Sequence, residues 1–185
     1  LQMLTQILEQ IKTEQGELEF LNHPAEFFAE ECKWIGGCRI DNVSDYADLR
    51  RQSGGKNLTI EESNLIFTIY QRYKLLRQER QYFYDWDDIA QAVEDEFLHD
   101  QTPRYYRHVV IDEGQDFTPA MLRSLALAIP DDGSLTFFGD MAQQIYGNRI
   151  SWRDAGLQLT QPWIFKENYR NTTQIANLAI AMTRM

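Results

Sequence analysis

Two short apolar runs in the second half of the chain each end in acid, and each acid is trailed by glutamine. Val109-Val110-Ile111 leads into Asp112-Glu113-Gly114-Gln115-Asp116, and Leu135-Thr136-Phe137-Phe138 leads into Gly139-Asp140-Met141-Ala142-Gln143. A carboxylate held at a strand tip, as Asp112 would be, suits Mg²⁺, which takes few protein carboxylates beside waters and phosphate oxygens. Glu113, projecting the opposite way along an extended strand, is placed to polarise an attacking water. Gln115 can orient a phosphate without adding charge, and Gln143, four residues past Gly139, is a neutral donor suited to a terminal phosphate. Arg170 stands in a short segment, Glu167 to Thr172, ahead of a helical pattern, where a planar guanidinium can stabilise developing phosphoryl charge. Aspartates after strands are also ordinary turn and cap residues, and for either strand alone that reading is preferred. Two strands ending alike favour a shared site.

The elements that must position these groups follow from periodicity. Residues 1 to about 100 read as almost purely helical, with Leu4, Ile7, Leu8 and Ile11, and later Leu65, Ile66, Ile69, Tyr70, Tyr73 and Leu76, at three-to-four spacing. Thr59-Ile60-Glu61-Glu62 has capping-box spacing, which predicts a long helix from Ile60 to about Gln81. Arg50 to Lys56, with its paired glycines, reads as a plain turn, because GxxxxGK[ST] is not met there. The second half alternates. Tyr105 to Ile111 ends in a strand, Thr118 and Pro119 cap a helix to about Ile129, and Pro130 to Gly133 is a turn. Ser134 to Phe138 is a second strand, Trp163 to Phe165 a third, and Thr173 caps a last helix to Met185. The expected class is α/β with a parallel sheet. The strands around Val109–Ile111 and Leu135–Phe138 should be parallel neighbours, and the carboxylates of Asp112 and Asp140 should share one sheet edge.

Composition narrows the function classes. The 185 residues carry 18 basic and 28 acidic side chains, a net charge of −10, which argues against a general polyanion binder. An acidic side that binds metal and nucleotide is still compatible with nucleic acid held elsewhere. No apolar run approaches the roughly 20 residues of a membrane helix, and the first ten residues lack the basic flank of a secretion signal. Cys32 and Cys38 are too few for a disulfide scaffold and lack companions for a zinc site, so thiols in a reducing compartment are expected.

Three segments in order, VIDEGQD (110–116), FFGDMAQQIYG (137–147) and ENYRNT (167–172), resemble motifs II, III and IV of the UvrD/Rep-like superfamily 1 DNA helicases. YDWDD (84–88) is similar to the acidic-aromatic segment that family carries ahead of motif II, and the long helix from Ile60 to its inserted helical subdomain. The resemblance implies a partial RecA-like P-loop NTPase motor domain. It divides the chain into an inserted helical subdomain (1–83), part of the first motor domain (84–170) and the start of the second (171–185). It implies that Asp112 holds the Mg²⁺ of ATP and Glu113 activates water, while Gln143 and Arg170 reach the γ-phosphate. Gln115, Asp116 and Asp140 would couple nucleotide to DNA, and Tyr146 would lie near the single strand. Where the commonest family pattern has a stacking aromatic this chain has Asn148. Trp152 with Arg153 is the alternative stack, ordinary core packing of Trp152 being equally open.

The implied activity is ATP-dependent movement on single-stranded or duplex DNA in the 3′→5′ direction, in a cytoplasmic, nucleoid-associated bacterial protein. DNA repair is one of several pathways such motors serve. The chain has no GxxxxGK[ST], so it is expected to be an internal piece of the motor, inactive alone. The competing classes are a metal-dependent nuclease built on Asp112, Glu113 and Asp140, and a non-catalytic interaction module.

Overall fold

The structure, a computed structural model, describes residues 1–16, 18–52, 58–139, 163–165, 167, 169 and 171–183. Helix α1 (Gln2–Gln15) buries Leu4, Ile7, Leu8 and Ile11, one face at the spacing the sequence shows. A 3₁₀ turn at Glu19–Asn22 leads to α2 (Ala25–Cys38), which ends with Arg39 in the left-handed region (φ 58°). The Ile40 amide closes on the Ile35 carbonyl and the Arg39 amide on that of Gly36, both at 3.0 Å, a Schellman closure with arginine where glycine is usual.

Helix α3 (Val43–Gln52) takes Arg50, Arg51 and Gln52 into regular structure, correcting the expected turn over 50–56. The reason is that the Arg50 guanidinium turns inward and pairs with Glu31 of α2, both side chains being over nine-tenths buried. The Tyr46 hydroxyl donates to the same carboxylate at 2.6 Å. Burial, and next the Glu31 charge, push the Tyr46 pKa well above its ordinary value. Residues 53–57 lie outside the described set.

Helix α4 (Ile60–Glu79) starts with the predicted capping box. The Thr59 amide donates to Glu62 Oε2 at 2.7 Å, and the Glu62 amide to Thr59 Oγ1 at 3.1 Å. Helices α1 to α4 enclose one core, with Phe28, Ile35, Tyr46, Ile66 and Ile69 fully buried. Cys32 lies within it, its thiol pushed up to about 12 by burial and then by the neighbouring Glu31.

Helix α5 (Trp86–His99) carries the chain to strand β1 (His108–Ile111), helix α6 (Pro119–Leu127) and strand β2 (Ser134–Phe137). The two strands are parallel neighbours in the register His108 with Ser134 and Ile111 with Phe137. Thr118 caps the helix between them, accepting from the Met121 amide at 3.3 Å. A second, smaller core gathers Ile111 and Leu122 with Val109, Phe117, Leu125, Leu135 and Phe137. The described residues are thus mostly helical with a two-stranded parallel sheet, compatible with part of an α/β domain.

Trp163–Phe165 is not a strand. The three residues take no regular structure, and their side chains are exposed. A strand needs a ladder partner, and the described sheet has two members. The last helix, α7 (Thr173–Thr183), takes Thr173 as its first residue rather than its cap. Among the described residues no helix is long and apolar enough to cross a membrane.

Removing one member of a buried ion pair strands the other charge. Glu31→Ala should therefore lower unfolding free energy by about 3–5 kcal/mol in urea denaturation, the scale for breaking such a pair.

Candidate functional site

The carboxylate segment is fastened where β1 meets β2. The Phe138 amide donates to the Ile111 carbonyl at 2.8 Å, and the Gly114 amide donates back to the Phe138 carbonyl at 2.7 Å. Asp112 and Glu113 form the loop between those two bonds, at the carboxyl end of the sheet. Both are exposed. The strand stops at Ile111, so the expected strand-like alternation of the two side chains does not apply. Instead Glu113 takes the left-handed region (φ 53°, ψ 42°), its amide donating to Asp112 Oδ1 at 3.0 Å. That conformation costs a residue with a Cβ about 1–2 kcal/mol and is retained only where surrounding bonds impose it.

A 3₁₀ turn follows at Gly114–Asp116. Gln115 is buried and donates through Nε2 to Glu113 Oε2 at 2.6 Å, so it orients the glutamate rather than facing solvent. A Cβ on Gly114 would lie 3.0 Å from the Phe137 ring and 3.1 Å from the Phe138 carbonyl, and one on Gly139 3.0 Å from Gln115 Oε1. Two of the three predicted segments therefore meet: the end of β2 lies directly on the turn after β1. Asp116 is exposed and faces elsewhere, into a cleft of about 340 Å³ also lined by Lys33, Tyr73, Arg77, Asp85 and Thr118. The other predicted site residues, Asp140, Gln143, Tyr146, Trp152, Arg153 and Arg170, lie outside the described residues, as does Asn148. Tyr169 is exposed, and its hydroxyl donates to Glu167.

The cleft holds a polar network that pattern reading missed. Asp85 caps α5, accepting from the Trp86 amide at 2.8 Å and from the Tyr73 hydroxyl at 2.7 Å. Arg77 of α4 is buried and pairs with Asp88 and, at 3.6 Å, with Asp85. Burial acts to raise the Asp85 pKa, but Tyr73, the Trp86 amide and Arg77 outweigh it and hold it below the ordinary 3.8. Burial and then Asp85 push the Tyr73 hydroxyl up to about 12. The available signal was the Asp85-x-x-Asp88 spacing, which forms a second capping box.

The chain matches the family model of the UvrD/REP helicase N-terminal domain over residues 4–162. It belongs to that family. The match takes in the helical bundle, the parallel strand pair and the carboxylate turn together, so the family's domain runs through both cores. No curated protein and no solved structure matches the chain.

Two outcomes follow from this geometry. Gly114→Ala should destabilise by about 1–3 kcal/mol, the range for overpacking a closed contact, read as a lower urea midpoint. Asp85→Asn should lower the midpoint at neutral pH. Because the native Asp85 pKa is depressed, its contribution is present above 3.8 and lost as pH falls through the lower native value. The gap between the variants should close on acidification.

Proposed function

We propose that this chain is part of an ATP-driven DNA translocase or helicase motor moving 3′→5′ on single-stranded DNA, as its family suggests. The single observation carrying this is the turn that presents Asp112 and Glu113 at the carboxyl end of two parallel strands, where open α/β sheets bind ligands. In this reading residues 1–83 form an inserted helical subdomain, 84–170 part of a RecA-like P-loop motor domain, and 171–185 the start of a second.

The donor set fits a magnesium nucleotide. Asp112 is an exposed carboxylate whose Oδ1 is steadied by the Glu113 amide, the hard oxygen ligand Mg²⁺ prefers. Bound there, the cation would neutralise phosphate charge. Glu113, aimed by Gln115, would take the proton of the attacking water. Gln143 and Arg170 are assigned to the γ-phosphate, Asp116, Gln115 and Asp140 to coupling, and Tyr146, Trp152 and Arg153 to the DNA strand. The chain has no GxxxxGK[ST] motif, so in this reading another segment of the motor would cradle the triphosphate.

In a protein that joins this chain to such a loop, Glu113→Gln should leave MgATP affinity nearly unchanged and cut DNA-stimulated phosphate release by roughly 100-fold or more, the scale of a lost general base. The 185-residue chain alone should release no phosphate. Unchanged turnover in Glu113→Gln would remove Glu113 from the role, and metal-dependent DNA cleavage without ATP would indicate a nuclease instead.

A further inference from the structure

Helix α2 carries two adjacent glycines in its last turn, Gly36 and Gly37, although each costs a helix up to about 1 kcal/mol relative to alanine. The structure holds a packing reason. A Cβ on Gly37 would fall 2.8 Å from Thr118 Cγ2 and 3.0 Å from Thr118 Cβ, nearer than non-bonded carbons approach. Gln91 of α5 donates to the Gly36 carbonyl beside this contact. Just beyond it, Arg39 pairs with Glu94 at 3.3 Å and Asp95 at 2.5 Å, and Arg123 of α6 donates to the same Glu94 at 3.0 Å. The end of α2 is therefore seated on α5 and α6 together.

Thr118 lies two residues past Asp116 and caps α6. The turn bearing Glu113 and Gln115 is thus fixed at one end by the Gly114–Phe138 bond and at the other by Thr118 against Gly37. We infer that Gly37 and Thr118 are positioning residues, through which the helical bundle sets the carboxylate turn. Movement of α2 is thereby transmitted through Thr118 to the turn that carries Gln115 and Glu113. The consequence for turnover rests on the hydrolytic role proposed for Glu113; the mechanical tie does not.

The tie is tested on the 185-residue chain by amide NMR. Gly37→Ala should shift the Gly114 backbone amide and the Gln115 side-chain amide while leaving Leu8 and Ile11 of α1 in place. Adding Thr118→Ser removes Cγ2 but keeps the capping oxygen, and should return both signals toward their original positions. Unmoved signals in folded Gly37→Ala, or no return in the double variant, would overturn the inference. If Gly37→Ala does not fold, Thr118→Ser alone decides. Faster hydrogen exchange at Gly114, with α1 unchanged, supports the tie, and unchanged exchange overturns it.

In an ATPase-active protein containing the chain, Gly37→Ala should lower kcat about 10- to 100-fold with KM unchanged, the scale of an ångström misplacement. Thr118→Ser should recover part of the loss. A wild-type protein with no ATPase would count against the proposed function, and the NMR result would still judge the tie.

Discussion

Everything at the sheet end depends on one reciprocal pair of backbone bonds, Phe138 N–H to the Ile111 carbonyl and Gly114 N–H to the Phe138 carbonyl. Adjacent carboxylates repel and would spread apart on a free loop. These two bonds span the pair and pin the backbone on either side of it. They also leave Glu113 no extended conformation, which accounts for its positive φ. Glycine at 114 follows from the same constraint, because the returning carbonyl and the Phe137 ring occupy the space of a side chain.

A two-stranded parallel sheet is too small to stand by itself. Its core here is Ile111, Leu122 and a few half-buried neighbours, and the larger reserve of burial lies in the helical bundle. The bundle therefore stabilises the site from a distance, through α5 and α6. Polar contacts make this join: Arg39 and Arg123 converge on Glu94, and Arg77 reaches from α4 to Asp85 and Asp88. Arg77 is buried against its partners, while the partly exposed pairs, Arg39 and Arg123 with Glu94, contribute little to overall stability. Their directionality fixes orientation, which is what a join between two cores requires.

Local chemistry made much of this fold legible in the sequence. The Thr59–Glu62 box, the Thr118-Pro119 start and the face of Leu4, Ile7, Leu8 and Ile11 are each settled by near neighbours, and each stands as read. Parallel pairing followed from the spacing of two apolar runs around one helix. What escaped was set by partners distant in sequence. Arg50 reads as a loop residue beside two glycines, yet Glu31, nineteen positions earlier, draws it into the core. Glu113 reads as the next residue of a strand, but the Phe138 carbonyl ends the strand before it. Trp163–Phe165 has the composition of a strand and no place in the described ladder. The Gly37–Thr118 contact joins residues 37 and 118, and no local pattern marks it.

Electrostatics explains why such a site would need partners. Asp112 and Glu113 stand exposed side by side, and Asp116 is one turn away. In the cleft that Asp116 lines, Arg77 is already engaged with Asp85 and Asp88, while Lys33 lines the same cleft. On the proposed reading, a triphosphate approaching this edge would meet negative charge first, and an intervening divalent cation would turn repulsion into a bridge. The same arithmetic gives the acidic character of the chain a role. Carboxylates that would weaken a self-sufficient nucleotide site would, under the proposed function, make a selective one if the cation arrived with the nucleotide and the opposing positive charge came from another segment. Under the proposed function, such a site would be complete only beside a phosphate-binding segment, and its chemistry would follow the movement of the bundle that holds the turn.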